Sequence, residues 1–137
     1  KVRGIYRMSV MSFREPNEVK WIGVRPAHKG TQIFSSGLAS NSTVVLHTVS
    51  LGKTLYLVSY GATAYLATTG ISATMDIYDS TPALWQRIID FIAAAVGQMR
   101  ADNMFWPPLE IPSGYSIRLV STDANAQIRG FVFGWEE

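Results

Sequence analysis

The chain has 137 residues, of which 47% are hydrophobic and 16% charged, and its formal net charge is +2. That is the length of one domain with a real core, and its charge is below the usual share of about 25%. Its twelve Lys and Arg form no basic stripe for nucleic acid, it has no cysteine for disulfide or thiolate chemistry, and no apolar run approaches the roughly 18 residues of a membrane span.

Four Trp, six Tyr and six Phe accompany these few charges. This means either a large core or a surface that stays partly apolar; in so small a domain such a surface is expected to meet another subunit, with a monomer of polar Ser, Thr and Asn surfaces as the alternative. Residues 1–17 show no clean period and end at Glu15-Pro16-Asn17. Ile5, Tyr6, Met8, Val10, Met11 and Phe13 are too many apolar groups for a solvated tail. The segment reads as an N-terminal arm in an oligomer contact, with a first strand as the alternative. Residues 18–137 read as a single β-sandwich domain.

Val19 to Val24 and Thr31 to Ser35 are strand candidates, stopped by Pro26 and Gly37 respectively. Thr43 to Val49 is rich in β-branched residues. Thr54 to Tyr60 follows the Gly52-Lys53 turn, and its alternation sets Leu55, Leu57 and Ser59 against Tyr56, Val58 and Tyr60. Ala62 to Thr69 and Ser72 to Tyr78 form the next pair around Gly70, and Asp79-Ser80-Thr81-Pro82 is a turn.

Ala83 to Met99 supports two readings. Leu84, Ile88, Phe91, Ile92 and Val96 recur at helical spacing behind a Thr81-Pro82 start signal, which gives one short helix around 82–97. Trp85, Arg87, Ile89, Phe91 and Ala93 also read as one face of a long strand. Gln98 to Asn103 reads as a polar loop. Leu109 to Ile111 is a short strand pinned at an edge by Pro107, Pro108 and Pro112. Tyr115 to Val120 and Gln127 to Trp135 close the chain. Eight or nine strands at such spacing predict an all-β sandwich or barrel.

Chemistry-bearing patterns are few. His28 and His47 are isolated, which predicts no metal site, and His47 is expected to pack or bond within its sheet. No cofactor motif is present. Gly52-Lys53-Thr54 enters a strand rather than a helix, so it is a hairpin turn and not a phosphate loop. Asp76 and Asp79 read as solvent-exposed or turn-bonded, and Glu136-Glu137 as a solvated end. Trp106 beside Pro107-Pro108 reads as a packed corner rather than a platform for a sugar face.

The run Pro107-Pro108-Leu109-Glu110-Ile111-Pro112-Ser113-Gly114-Tyr115-Ser116-Ile117-Arg118 is followed by Gly130-Phe131-Val132-Phe133-Gly134-Trp135-Glu136-Glu137. With Gly52-Lys53-Thr54-Leu55-Tyr56-Leu57 upstream, the stretch Thr43 to Glu137 resembles small virion structural proteins of tailed bacteriophages. The resemblance implies a jelly-roll-like antiparallel β-sandwich that decorates capsids or forms fibres and knobs, commonly as trimers. Its motifs are structural turns, so no functional residue carries over. The expected function is a non-enzymatic virion protein: a capsid decoration, head-fibre or tail-tip module. Its expected partners are its own copies in a homotrimer and other virion proteins, without nucleic acid or membrane. Candidate interface residues are Phe13, Trp21, Phe34, Tyr56, Tyr60, Trp106 and Trp135. The alternative is a carbohydrate-binding module for host-surface glycan or polysaccharide. A small β-barrel enzyme is disfavoured, because no nucleophile–base or metal constellation is visible.

Overall fold

Eight strands run through residues 30–137, the part of the chain that the computed structural model describes: β1 (Thr31–Ser40), β2 (Ser42–Thr48), β3 (Leu55–Leu66), β4 (Ser72–Tyr78), β5 (Leu84–Ile92), β6 (Gly97–Ile111), β7 (Ser116–Ser121) and β8 (Ala126–Glu136). The arm at 1–17, the strand candidate Val19 to Val24 and His28 lie outside the described residues. The pairings β1 with β8, β2 with β7, β3 with β6 and β4 with β5 are all antiparallel. The chain is therefore a ribbon doubled back on itself and rolled up. Rolling produces two four-stranded sheets, β1-β8-β3-β6 and β2-β7-β4-β5. This is the strand order of a jelly roll.

The ribbon doubles back between β4 and β5. There the Asp79 carboxylate accepts bonds from the Thr81 amide at 2.8 Å, the Thr81 hydroxyl at 2.7 Å and the Ala83 amide at 2.9 Å. One short polar side chain replaces the ladder partners that the turning backbone loses. These bonds, that to the Ala83 amide foremost, hold the exposed Asp79 carboxyl below its usual value.

Leu84–Ile92 is a strand, so the short helix around 82–97 does not form. A helical stripe would bury Leu84, Ile92 and Val96 together, yet these are 50%, 63% and 57% exposed. The buried set Ile89, Phe91 and Ala93 has period two. Pairing with β4 overrides a local pattern that fits either state. Gln98 to Asn103 is likewise strand, not loop. As part of the edge strand β6 it needs an apolar face on one side only, supplied by Met99 and Ala101.

Gly37, expected to end a strand, instead lies within one, and Gly61 also lies within a strand. Gly37 sits inside β1, where a Cβ would lie 2.9 Å from Leu46 of the other sheet. Gly61 sits inside β3, where a Cβ would lie 2.7 Å from the Phe131 ring. Each serves a close approach rather than a turn.

Val58 changes the face of β3. Leu57 opposes Gly134 and Ser59 opposes Phe133, so Val58 has no partner on β8. This bulge moves every later side chain to the other face. Tyr60 consequently joins Leu55 and Leu57 in the core instead of lying outward with Tyr56. The interior is filled by Leu55, Leu57, Leu66, Met75, Ile77, Ile111, Ile117, Leu119, Ile128 and Val132, all under 2% exposed.

Candidate functional site

The outer face of the β1-β8-β3-β6 sheet carries an aromatic stripe. Phe34 of β1 lies directly opposite Phe133 of β8, and its ring stacks with Phe131 at 6.3 Å between centroids. Tyr56 of β3 lies opposite Trp135, ring on ring at 5.5 Å and 18°. Cross-strand aromatic pairs of this kind stabilise a sheet by roughly 0.2–1 kcal/mol each. Next to the stripe, Ser36, Gly61, Thr63, Arg100, Asp102 and Phe131 line a shallow depression of about 240 Å³.

A second feature projects from the edge strand β6. Met104 pairs with Ser59 and Leu109 pairs with Leu57, so Phe105–Pro108 bow out opposite Val58 alone. Pro107 and Pro108 have no amide to offer a ladder, which confines such a segment to an edge. Phe105 turns back onto Tyr60, with centroids 5.3 Å apart. Trp106 turns outward and is 62% exposed, and Met104 beside it is 69% exposed. The packed-corner expectation therefore fits Phe105 and not Trp106.

The candidate residues thus separate. Phe34 and Trp106 are exposed, Tyr56 is half-buried, and Trp135 is nearly covered. Tyr60 belongs to the core and presents no outer surface for a partner. Phe13 and Trp21 lie outside the described residues. The exposed Leu38 and Met104 and the half-buried Phe131 share the apolar surface without having been singled out. The alternation of Gly130-Phe131-Val132-Phe133-Gly134 was the signal for Phe131.

Two pairs of ionisable groups act within the fold, Asp76 with Arg87 and Glu136 with His47. Asp76 is fully buried on the side of β4 away from the core, contrary to the exposure expected of it. It accepts Arg87 Nε at 2.8 Å and Nη2 at 3.2 Å, together with the Thr74 hydroxyl at 2.9 Å. The Asp76 hydrogen bonds raise the Arg87 guanidinium above its ordinary value, against partial desolvation. Next to this pair, Arg118 lies 4.5 Å over the Tyr78 ring and donates to Ser116 Oγ.

Glu136, expected at a solvated end, points between the sheets and is 3% exposed. It meets His47 Nε2 from the opposite sheet and accepts the Ser50 amide at 3.2 Å. Burial pushes its carboxyl up, but the His47 and Ser50 bonds outweigh burial and leave it below the usual carboxylate value. The register shift in β2 between Val45 and His47 is what turns the imidazole inward.

Among the described residues no group of three His, Cys, Asp or Glu could hold a metal ion. Among the described residues no helix is long and apolar enough to cross a membrane. No protein-family model matches the chain, and no curated protein does.

Proposed function

We propose that the chain is a non-enzymatic structural protein of a bacteriophage particle, a capsid decoration, head-fibre or tail-tip module, working as a homotrimer. The observation that carries this reading is the apolar outer surface of a rolled eight-stranded sandwich. Phe34, Leu38 and Trp106 are 68%, 45% and 62% exposed on or beside one sheet. The rolled topology is one that viral capsid proteins use, as do lectins and cupins. The buried carboxylates Asp76 and Glu136 are each bonded to a basic partner, a structural use of the groups on which acid–base catalysis would draw. Sedimentation equilibrium tests the reading: a species of three 15.1 kDa chains is expected, and a single-chain mass at high micromolar concentration overturns it.

One observation favours a glycan-binding reading as the alternative. Trp106 is an exposed indole on a proline-stiffened bow, the geometry that stacks on a sugar face. Quenching of tryptophan emission by host-surface saccharides in wild type, absent in Trp106→Ala, would support it. Unchanged emission across a glycan panel would remove it.

A further inference from the structure

The strands that end the two sheets are β1, β6, β2 and β5, and all but β1 are guarded against pairing with another chain. β6 carries Pro107 and Pro108 together with Arg100, Asp102 and Glu110. β5 carries Arg87 and Asp90 and shifts register twice. β2 has seven residues, shifts register between Val45 and His47, and its Leu46 carbonyl accepts Ser35 Oγ. Charge, proline, bulges and shortness are the devices that keep an edge from adding strands. β1 has none of them. Its ten residues include no charge and no proline, and they oppose β8 one for one without a shift. Among the described residues β8 alone pairs with β1. The other row of its backbone N–H and C=O groups is left without a ladder partner among these residues, and Phe34 beside that row is 68% exposed.

We infer that residues 19–24 of one copy add to this edge of β1 in the next copy, as a fifth strand of its sheet. The inference rests on the self-assembly reading above and names its contact. A row of unpaired backbone groups takes an extended segment. Residues 1–29 of the chain precede Gly30, and Val19-Lys20-Trp21-Ile22-Gly23-Val24 is the strand former nearest to β1 in the sequence. This segment also brings what β1 lacks. Lys20 and the flanking Glu18 and Arg25 put charge on the new outermost strand, so the sheet ends on a guarded edge.

A hairpin through residues 25–30 sets the register, and exchange between copies preserves it. Val24 then opposes Thr31, Ile22 opposes Ile33 and Trp21 opposes Phe34. Ile22 extends the inner face, on which Ile33 packs against the core. Trp21 covers Phe34 and continues the aromatic stripe that runs on through Phe131. Two features favour exchange over closure within one chain. The connection 25–30 exceeds the roughly two to five residues of common hairpin loops. Arg25 precedes Pro26, and a residue before proline is biased to extended backbone, which carries the chain onward rather than back. A head-to-tail contact of this kind closes as a ring, in which each copy of the proposed trimer lends its segment to the next.

The test uses the full chain, which has no cysteine of its own. The double variant Trp21→Cys/Phe34→Cys is oxidised and run without reductant. A covalent trimer is expected, with a mass-spectrometric peptide joining position 21 of one chain to position 34 of another. A disulfide closed within one chain, or none in a protein that sediments as a trimer, overturns the contact and leaves the assembly reading standing. A wild type that sediments as a single chain sinks both. Ile22→Pro reads the backbone pairing itself, because proline has no amide to give a ladder and the position precedes all eight strands. It should weaken self-association by roughly tenfold or more and speed hydrogen exchange of the β1 amides. Unchanged association with unchanged β1 protection overturns the inference. Far-UV circular dichroism confirms that each variant keeps its sheets.

Discussion

The His47 imidazole on β2 and the Glu136 carboxylate on β8, 89 positions apart in the chain, meet between the two sheets and tie one to the other. The contact joins β2 of one sheet to β8 of the other. Because Glu136 is almost wholly buried, removal of its partner leaves a charge inside the protein.

The clasp makes stability depend on acid. The folded carboxyl of Glu136 lies below its ordinary value of 4.5, so its contribution is fully present above that value. It is lost as pH falls through the lowered folded value. Glu136→Gln should cost about 1–3 kcal/mol at neutral pH. The difference from wild type should shrink under acid. Urea melts at several pH values check both statements.

Asp76 and Arg87 should respond unequally. Asp76 is fully buried, whereas the Arg87 side chain is 44% exposed and can reach water when left alone. Arg87→Ala strands a buried carboxylate and should cost about 3 kcal/mol or more. Asp76→Asn keeps the shape, removes the buried charge, and should cost less. Equal losses in chemical denaturation would contradict this account.

At Gly61, an added methyl would lie 2.7 Å from the Phe131 ring and 2.9 Å from Asp102 Cβ. Gly61→Ala should therefore destabilise by about 1–3 kcal/mol through overpacking. Adding Phe131→Leu, which removes the ring edge, should recover part of that loss. A double-mutant cycle of thermal melts measures the coupling.

Phe34 and Tyr60 are both aromatic residues expected at an interface, and the fold separates them. Phe34→Ser should cost the monomer no more than about 1 kcal/mol, the loss of one cross-strand aromatic pair, and weaken self-association. Tyr60→Ser should cost about 3–5 kcal/mol, as loss of a packed aromatic does. Paired measurements of sedimentation and of unfolding separate the two effects.

Much of the architecture was legible because period-two alternation and turn chemistry are local. Thr43 to Val49, Ser72 to Tyr78 and the Asp79 turn fall close to their expected places. What misled was local as well. Gly37 looked like a strand end because nothing nearby in the chain reveals that Leu46 presses against it. Leu84 to Val96 matched a helix because spacing alone does not record that β4 waits alongside with unpaired backbone groups. Of the candidate surface, Trp106 read both as an interface residue and as a packed corner, and the local sequence could not decide its exposure. It depends on how four residues of β6 bow around one residue of β3.

The sequence by itself determined that this protein is built of antiparallel strands, since alternating apolar residues punctuated by Gly, Pro and Asp offer the backbone no better way to satisfy its hydrogen bonds. Only the tertiary structure decided which side chains face outward. A single unpaired residue, Val58, reverses the facing of the rest of β3 and sends Tyr60 inward. A bulge is defined by what the neighbouring strands do, and those neighbours lie tens of residues away in the chain.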